Sequence, residues 1–237
     1  MIVWLRWPES EAVQILMSEF ASSKANQVNA AYWEPEPAIH DFDNQQWSKA
    51  QPVQIARRWS GEIAPPFQHA EARIIWSNES LLVRFVCRQV VPPIVSNLPQ
   101  LRQKTIGLWD RDVCEIFVAP NPETPHRYLE FEAAPNGEWV DLAINLAPDG
   151  RETNWDFQSG MTTAARMSGD ELTIVIRIPW SETLPRPSGG DEWRVNLFRC
   201  VGVGNERYLA WLPTHTEEPN FHVPEVFGWL KFDEEGR

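Results

Sequence analysis

The chain has 237 residues, 43% of them hydrophobic, and a formal net charge of −12. That length suits one large domain, or one domain with an extension. The charge argues against nucleic acid or an anionic membrane as a partner, while it permits a neutral or cationic ligand or Ca²⁺.

Taken from the start, Met1–Pro8 is too short and too poor in small residues for a signal peptide, so the chain as written reads as cytoplasmic. No apolar run approaches the roughly 20 residues that span a bilayer. Residues 9–25 carry a helical period, with Val13, Leu16, Met17 and Phe20 on one face and Pro8, Glu9 and Glu11 suited to a helix start. This predicts an N-terminal extension over 1–27 that contains a helix. From residue 28 the text changes to short strand candidates separated by turn signals. Strands are expected near 53–58, 71–76, 81–89, 113–118, 127–133 and 138–145, and again near 161–167, 171–178, 192–200, 207–212 and 227–232. Leu81, Val83, Phe85 and Cys87 alternate with a set that includes Arg84 and Arg88. Leu172, Ile174, Ile176 and Ile178 alternate with Thr173 and Arg177. Asn121-Pro122, Pro135-Asn136-Gly137, Pro148-Asp149-Gly150 and Ser188-Gly189-Gly190-Asp191 punctuate them. Many short strands at such spacing predict an all-β, antiparallel, jelly-roll-like β-sandwich over 28–232, followed by a tail over 233–237. The absence of a Gly-rich phosphate loop and of strand–helix alternation disfavours nucleotide folds.

Cys87, Cys114 and Cys200 each fall in an apolar run, and an odd number without close pairs argues against a disulfide framework and against zinc. They read as buried free thiols. The 13 tryptophans are several-fold above ordinary usage, and a soluble protein that exposes some of them typically does so to bind something.

Three constellations could carry chemistry. In the strand 113–118, Val113, Glu115 and Phe117 share one face, just after Trp109 opens the polar turn Trp109-Asp110-Arg111-Asp112. In the next strand Tyr128, Glu130 and Glu132 share a face. If the faces coincide, three carboxylates gather beside Trp109 and Tyr128, which is unfavourable unless arginines, a cation or a hydroxyl-rich ligand offsets it. Arg84, Arg111, Arg177 and Arg199 are available as counter-charges, and a solvated sheet face with such partners is the plain alternative. The second constellation has Asn196 and Arg199 as polar residues within a strand, and Trp211 at a strand end beside a long polar loop, placed either to line a cleft or to fill the core. The third is the histidines, none at metal-site spacing to another His or Cys. His222 reads as a residue that fixes its loop by hydrogen bonding. Asp41 and Asp43 could bind Ca²⁺ through oxygen, or serve as turn and cap residues.

Together these residues stand in a familiar order. Ile39-x-Asp41-x-Asp43-x-x-x-Trp47, the strand pair Ala72–Trp76 and Leu81–Cys87, Trp109-x-x-Asp112-x-x-Glu115-Ile116-Phe117, and His222-x-Pro224-x-x-Phe227-Gly228-x-Leu230 resemble the family-9 carbohydrate-binding modules, in particular the family-9-like single-domain bacterial proteins. The resemblance runs from about Ala38 to Phe232. It implies a β-sandwich, often with structural calcium. It also implies non-catalytic binding of a mono- or oligosaccharide, serving carbohydrate catabolism alongside glycoside hydrolases. A sugar unit would lie between two Trp rings, with polar side chains on its hydroxyls. By position Trp109 matches the first Trp and Glu115 the acid that follows it; Trp211 resembles the second Trp, and Asn196 a nearby Asn. One position departs from the pattern: Glu132 is acidic where sugar-binding members use a base. Two rival readings stand beside this one. One is a glycoside hydrolase using Glu115 with Glu130 or Glu132. The other is an interaction or structural sandwich that has lost sugar binding.

Overall fold

The computed structural model describes residues 26–235. The helix expected over 9–25 lies outside the described residues. Among the described residues fourteen strands form: β1 (Gln27–Tyr32), β2 (Val53–Ile55), β3 (Arg57–Arg58), β4 (Ala70–Trp76), β5 (Ser80–Arg88), β6 (Val113–Ala119) and β7 (Arg127–Ala133). They continue with β8 (Trp139–Ala147), β9 (Gly150–Asn154), β10 (Thr162–Ser168), β11 (Glu171–Pro179), β12 (Glu192–Cys200), β13 (Tyr208–Ala210) and β14 (Gly228–Phe232).

The strands make an all-β sandwich. One sheet runs β9-β8-β7-β6-β12-β14-β1, with β13 bridging β12 and β3; the other runs β10-β11-β5-β4-β1, with β2 on β4. Strand β1 belongs to both. Its residues 27–30 pair in parallel with β14, and Ala31 and Tyr32 pair in parallel with β4; the other paired strands are antiparallel. One strand thus ties the two sheets together along an edge.

The two-residue period sorts side chains into layers. Ile116, Val118, Phe131, Val195 and Leu197 of the first sheet meet Ile74, Trp76, Val83, Phe85, Ile174 and Ile176 of the second in the central core. Cys87 and Cys114 face each other there, Sγ to Sγ 3.5 Å, and all three cysteines are free and buried. The second sheet's outer face carries a smaller layer around Phe42, Trp47, Ile75 and Val175. The first sheet's outer face is also apolar: Val113, Phe117, Tyr128, Leu142, Ile144 and Phe198 lie under Phe221 and Phe227 of the segment that returns after β13. Every residue of β6 is therefore buried. The plain alternative of a solvated face for Glu115 is ruled out by this covering segment, which brings Phe221 onto Phe198 with ring centroids 4.0 Å apart.

Candidate functional site

The cover over the first sheet is incomplete. Between the outer face of β6–β9 and residues 208–222 lies a cavity of about 290 Å³, lined among others by Trp109, Glu115, Glu130, Arg151, Trp155, Tyr208 and His222. Its size falls near the lower bound of the roughly 300–1,000 Å³ usual for small-molecule pockets. It therefore suits one ring-sized ligand.

The walls are held from behind. Trp109 sits in a single 3₁₀ turn, Leu108–Asp110, whose backbone receives Arg207: Nη1 donates to the Asp110 carbonyl at 2.9 Å, and Nη2 donates to the Arg111 carbonyl. Trp155 follows β9 directly. Lys104 links the two loops, pairing with buried Asp141 at 2.6 Å and donating to the Phe157 carbonyl. The Asp141 carboxylate also accepts from the Ser159 amide and hydroxyl at 2.6 and 2.7 Å. The Trp109 and Trp155 rings touch, with centroids 6.3 Å apart and planes at 42°.

The floor is acidic. Glu115 on β6 stands directly opposite Glu132 on β7, and Glu130 stands opposite Phe117. The three are 2%, 0% and 3% exposed respectively, and one oxygen from each lies within 4.8 Å of the others. None of the arginines that the sequence offers as counter-charges reaches them. Arg84 donates to the Phe42 carbonyl, Arg111 pairs with Glu138, Arg177 pairs with Glu36, and Arg199 lies on the other face of β12. Proton retention relieves the repulsion instead. Burial, and then the charge of Glu130, push the Glu115 carboxyl up to about 8. Burial raises Glu130 as well, and raises Glu132 furthest, with Glu115 and Glu130 adding to it. Both Glu132 oxygens and Oε2 of Glu130 have no partner while all are ionised. A Glu132 that keeps its proton can donate it to Glu130. The Cys200 thiol donates to Oε1 of Glu115 at 3.2 Å.

His222 completes the rim. Burial and nearby Arg151 push its imidazole down to about 3, so it is neutral. Burial raises the Tyr128 phenol, which keeps its proton. The 2.7 Å contact between Tyr128 Oη and His222 Nδ1 then has the phenol donating, which leaves the imidazole proton on Nε2. His222 also stacks on Phe117 at 5.3 Å.

The residues singled out from the sequence fall into two groups. Trp109, Glu115 and Glu130 line the cavity, with Glu132 beneath them and Tyr128 behind His222. Trp211, Asn196 and Arg199 do not line it. Strand parity explains Trp211: Ala210 packs on the outer layer and Tyr208 beside it, whereas Leu209 and Trp211 pack on the central core. Trp211 lies so close to Gly228 that a Cβ there would sit 2.7 Å from its ring. Asn196 shares the face of Phe117, but both ends of its amide serve Leu212, donating to its carbonyl at 2.8 Å and accepting from its amide at 3.2 Å. Arg199 points into the sandwich, where it donates to the carbonyls of Gln68, His69 and Arg88 and to Gln89 Oε1 at 2.7–2.8 Å. Trp155, Arg151 and Tyr208 were not anticipated. The one signal for Trp155 was a lone Trp in a polar run just past a hairpin turn.

Asp41 and Asp43 do not fit a calcium site. Arg166 holds both oxygens of Asp43, at 2.6 and 2.7 Å, and so places a guanidinium where a cation would sit. Asp41 accepts from the Asn44 side chain at 2.7 Å.

Residues 41–235 match the family model described as "Carbohydrate family 9 binding domain-like". An Arthroderma benhamiae protein named "Extracellular protein" is 22% identical over 183 residues, covering 70% of this chain and 80% of its own. A candidate carbohydrate-binding protein from Bacteroides uniformis shares the fold with TM-score 0.67 at 17% identity, over 88% of this chain and 99% of that one. A family 9 carbohydrate-binding module from Caldicellulosiruptor kristjanssonii, solved with glucose, does so with TM-score 0.62 at 16% identity, over 89% of this chain and 97% of that one. The same module solved with cellotriose gives TM-score 0.62 at 16% identity, over 89% and 95%. The family model spans most of the chain, and the chain belongs to the carbohydrate family 9 binding domain-like proteins.

Proposed function

We propose that this protein is a non-catalytic carbohydrate-binding module that holds one sugar unit in the cavity above β6–β9. The observation that carries the reading is the juxtaposition of a partly exposed indole pair, Trp109 and Trp155, with buried carboxyls at the floor of a ring-sized cavity. A pyranose presents C–H groups on its faces and hydroxyls around its rim. Indole faces suit the first and carboxyl oxygens the second. The rings are closer than the roughly 7–8 Å that two van der Waals contacts to an intervening sugar need, at ~3.5–4.0 Å each. They therefore act as one aromatic wall, not as two jaws. The solved glucose and cellotriose complexes of the Caldicellulosiruptor module support the ligand class.

A monosaccharide of about 12 heavy atoms at ~0.3 kcal/mol per atom gains ~4 kcal/mol, a Kd on the order of 1 mM. Tryptophan fluorescence titrated with mono- and disaccharides tests this. A saturable response lost in Trp155→Ala is expected; no response across a broad glycan panel overturns it. The hydrolase reading rests on the spacing of Glu115 and Glu130, within 4.8 Å and near the roughly 5 Å of a retaining pair. Turnover of aryl glycosides that Glu115→Gln abolishes would favour it over binding.

A further inference from the structure

We propose that the cavity selects a monosaccharide unit carrying a protonated amine, the ammonium group seating between the aromatic wall and the carboxyls of Glu115 and Glu130. The inference rests on the sugar-binding reading and names the ligand class for that same site.

Among the described residues no lysine or arginine forms an ion pair with the acids at the floor of the cavity. Glu115 and Glu130 line its floor with Glu132 beneath them, and Glu130, a residue 3% exposed, has an Oε2 without a hydrogen-bond partner among the described residues. A neutral hydroxyl would satisfy one such oxygen. An ammonium brings three donors and a charge, which matches an acid trio better and makes charge-assisted hydrogen bonds. The walls point the same way. Trp109, Trp155 and Tyr208 line it, and a cation over an aromatic face is attracted by the ring quadrupole. His222, the basic side chain closest to the acids at 4.0 Å from Glu130 Oε2, stays neutral and does not compete for them. Arg151, an exposed residue of the lining, and Arg207 act on Glu130 and Glu115 through their charge, without an ion pair to either.

Binding a cation at acids that hold protons must release protons, because the ammonium stabilises the ionised carboxylates. A neutral sugar at the same place, whose hydroxyls stabilise the ionised form less than a full charge does, releases fewer. This gives a signature independent of affinity.

The test is isothermal titration at pH 6.5 with glucosamine, glucose, N-acetylglucosamine and glucuronate, each in two buffers of different ionisation enthalpy. Glucosamine is expected to bind at least tenfold more tightly than glucose and N-acetylglucosamine, with a buffer-dependent heat that shows greater proton release. Glu130→Gln is expected to collapse the glucosamine-to-glucose ratio towards one. If that variant does not fold, the buffer dependence in the wild-type protein still decides. Equal affinities for glucosamine and glucose without greater proton release would overturn the inference and leave the sugar reading standing. Tightest binding of glucuronate would overturn it by making Arg151 the anchor. A glucosamine preference abolished by EDTA would overturn it in favour of a metal ion on the acids. No heat with any of the sugars would defeat the sugar reading itself.

Discussion

Three acids buried side by side make stability fall as pH rises, and Glu115→Gln should remove a measurable part of that fall. An unfolded Glu115 titrates near its ordinary 4.5, whereas the folded one titrates at about 8. Between those values the folded state holds a proton that the unfolded state has lost. The contribution of Glu115 to the free energy of unfolding therefore declines from about pH 4.5 to about pH 8 and then levels off. The rise from 4.5 to about 8 converts, at about 1.4 kcal/mol per pH unit, to an upper bound of roughly 5 kcal/mol. In a protein of this size that is roughly 10–20 °C in melting temperature. Glutamine keeps the shape and the acceptor for Cys200 but has no proton to lose. Urea unfolding at pH 5.5, 6.5, 7.5 and 8.5 is the assay, with wild type and Glu115→Gln compared at each pH. The wild-type curve should fall across the series, and the variant should fall less and be the more stable protein at pH 8.5. Below about pH 4.5 the trend reverses, since Glu36 and Glu138 are held below their ordinary value by serine, asparagine and arginine hydrogen bonds that acid removes. A wild-type stability that rises between pH 5.5 and 8.5, or an unchanged slope in the variant, would refute the reasoning.

Further expectations concern single side chains. Trp109→Ala and Trp155→Ala should each abolish sugar-induced fluorescence change and shift the melting temperature by only a few degrees, because both rings are partly exposed; differential scanning fluorimetry beside the titration checks this. Trp211→Ala removes a half-buried ring packed against the central core and should cost about 2–3 kcal/mol in urea unfolding, with sugar affinity in the surviving folded fraction unchanged. Arg199→Ala leaves the carbonyls of Gln68, His69 and Arg88 buried without their donor and should cost about 3–5 kcal/mol by the same assay. Lys104→Met leaves the buried Asp141 carboxylate without its cation and should cost about 3 kcal/mol in urea unfolding as well as weaken sugar binding; a titration paired with a melting curve checks both.

Much of the fold was legible because strand parity is written locally. The alternation of Leu81, Val83, Phe85 and Cys87, and that of Leu172 through Ile178, fixed which faces meet in the core. Two strands escaped. Strand β1 gains its place only by pairing with β14 and β4, far away in sequence, and β9 is a polar edge strand without alternation. The site was legible in part for the same reason. Glu115, Glu130 and Glu132 follow from parity within a hairpin, and Trp109 from its place just before that hairpin. Trp211 misled because one step along β13 reverses the face, and the side chain three residues earlier, Tyr208, lines the cavity instead. Arg199 misled because a buried arginine can be satisfied by backbone carbonyls alone, which no residue pattern announces. Trp155 reaches Trp109 only through the Lys104 bridge between two loops, a tertiary contact with no local signature.

The central claim is that a sugar unit rests against Trp109 and Trp155 and not against Trp211. Indole N–H resonances of the ¹⁵N-labelled protein, assigned through single Trp→Phe variants and followed while a saturating monosaccharide is added, test it directly. The Trp109 and Trp155 signals should shift together along one binding curve while the Trp211 signal stays in place. A shift confined to Trp211, or no shift at any indole with every sugar tried, would contradict the account.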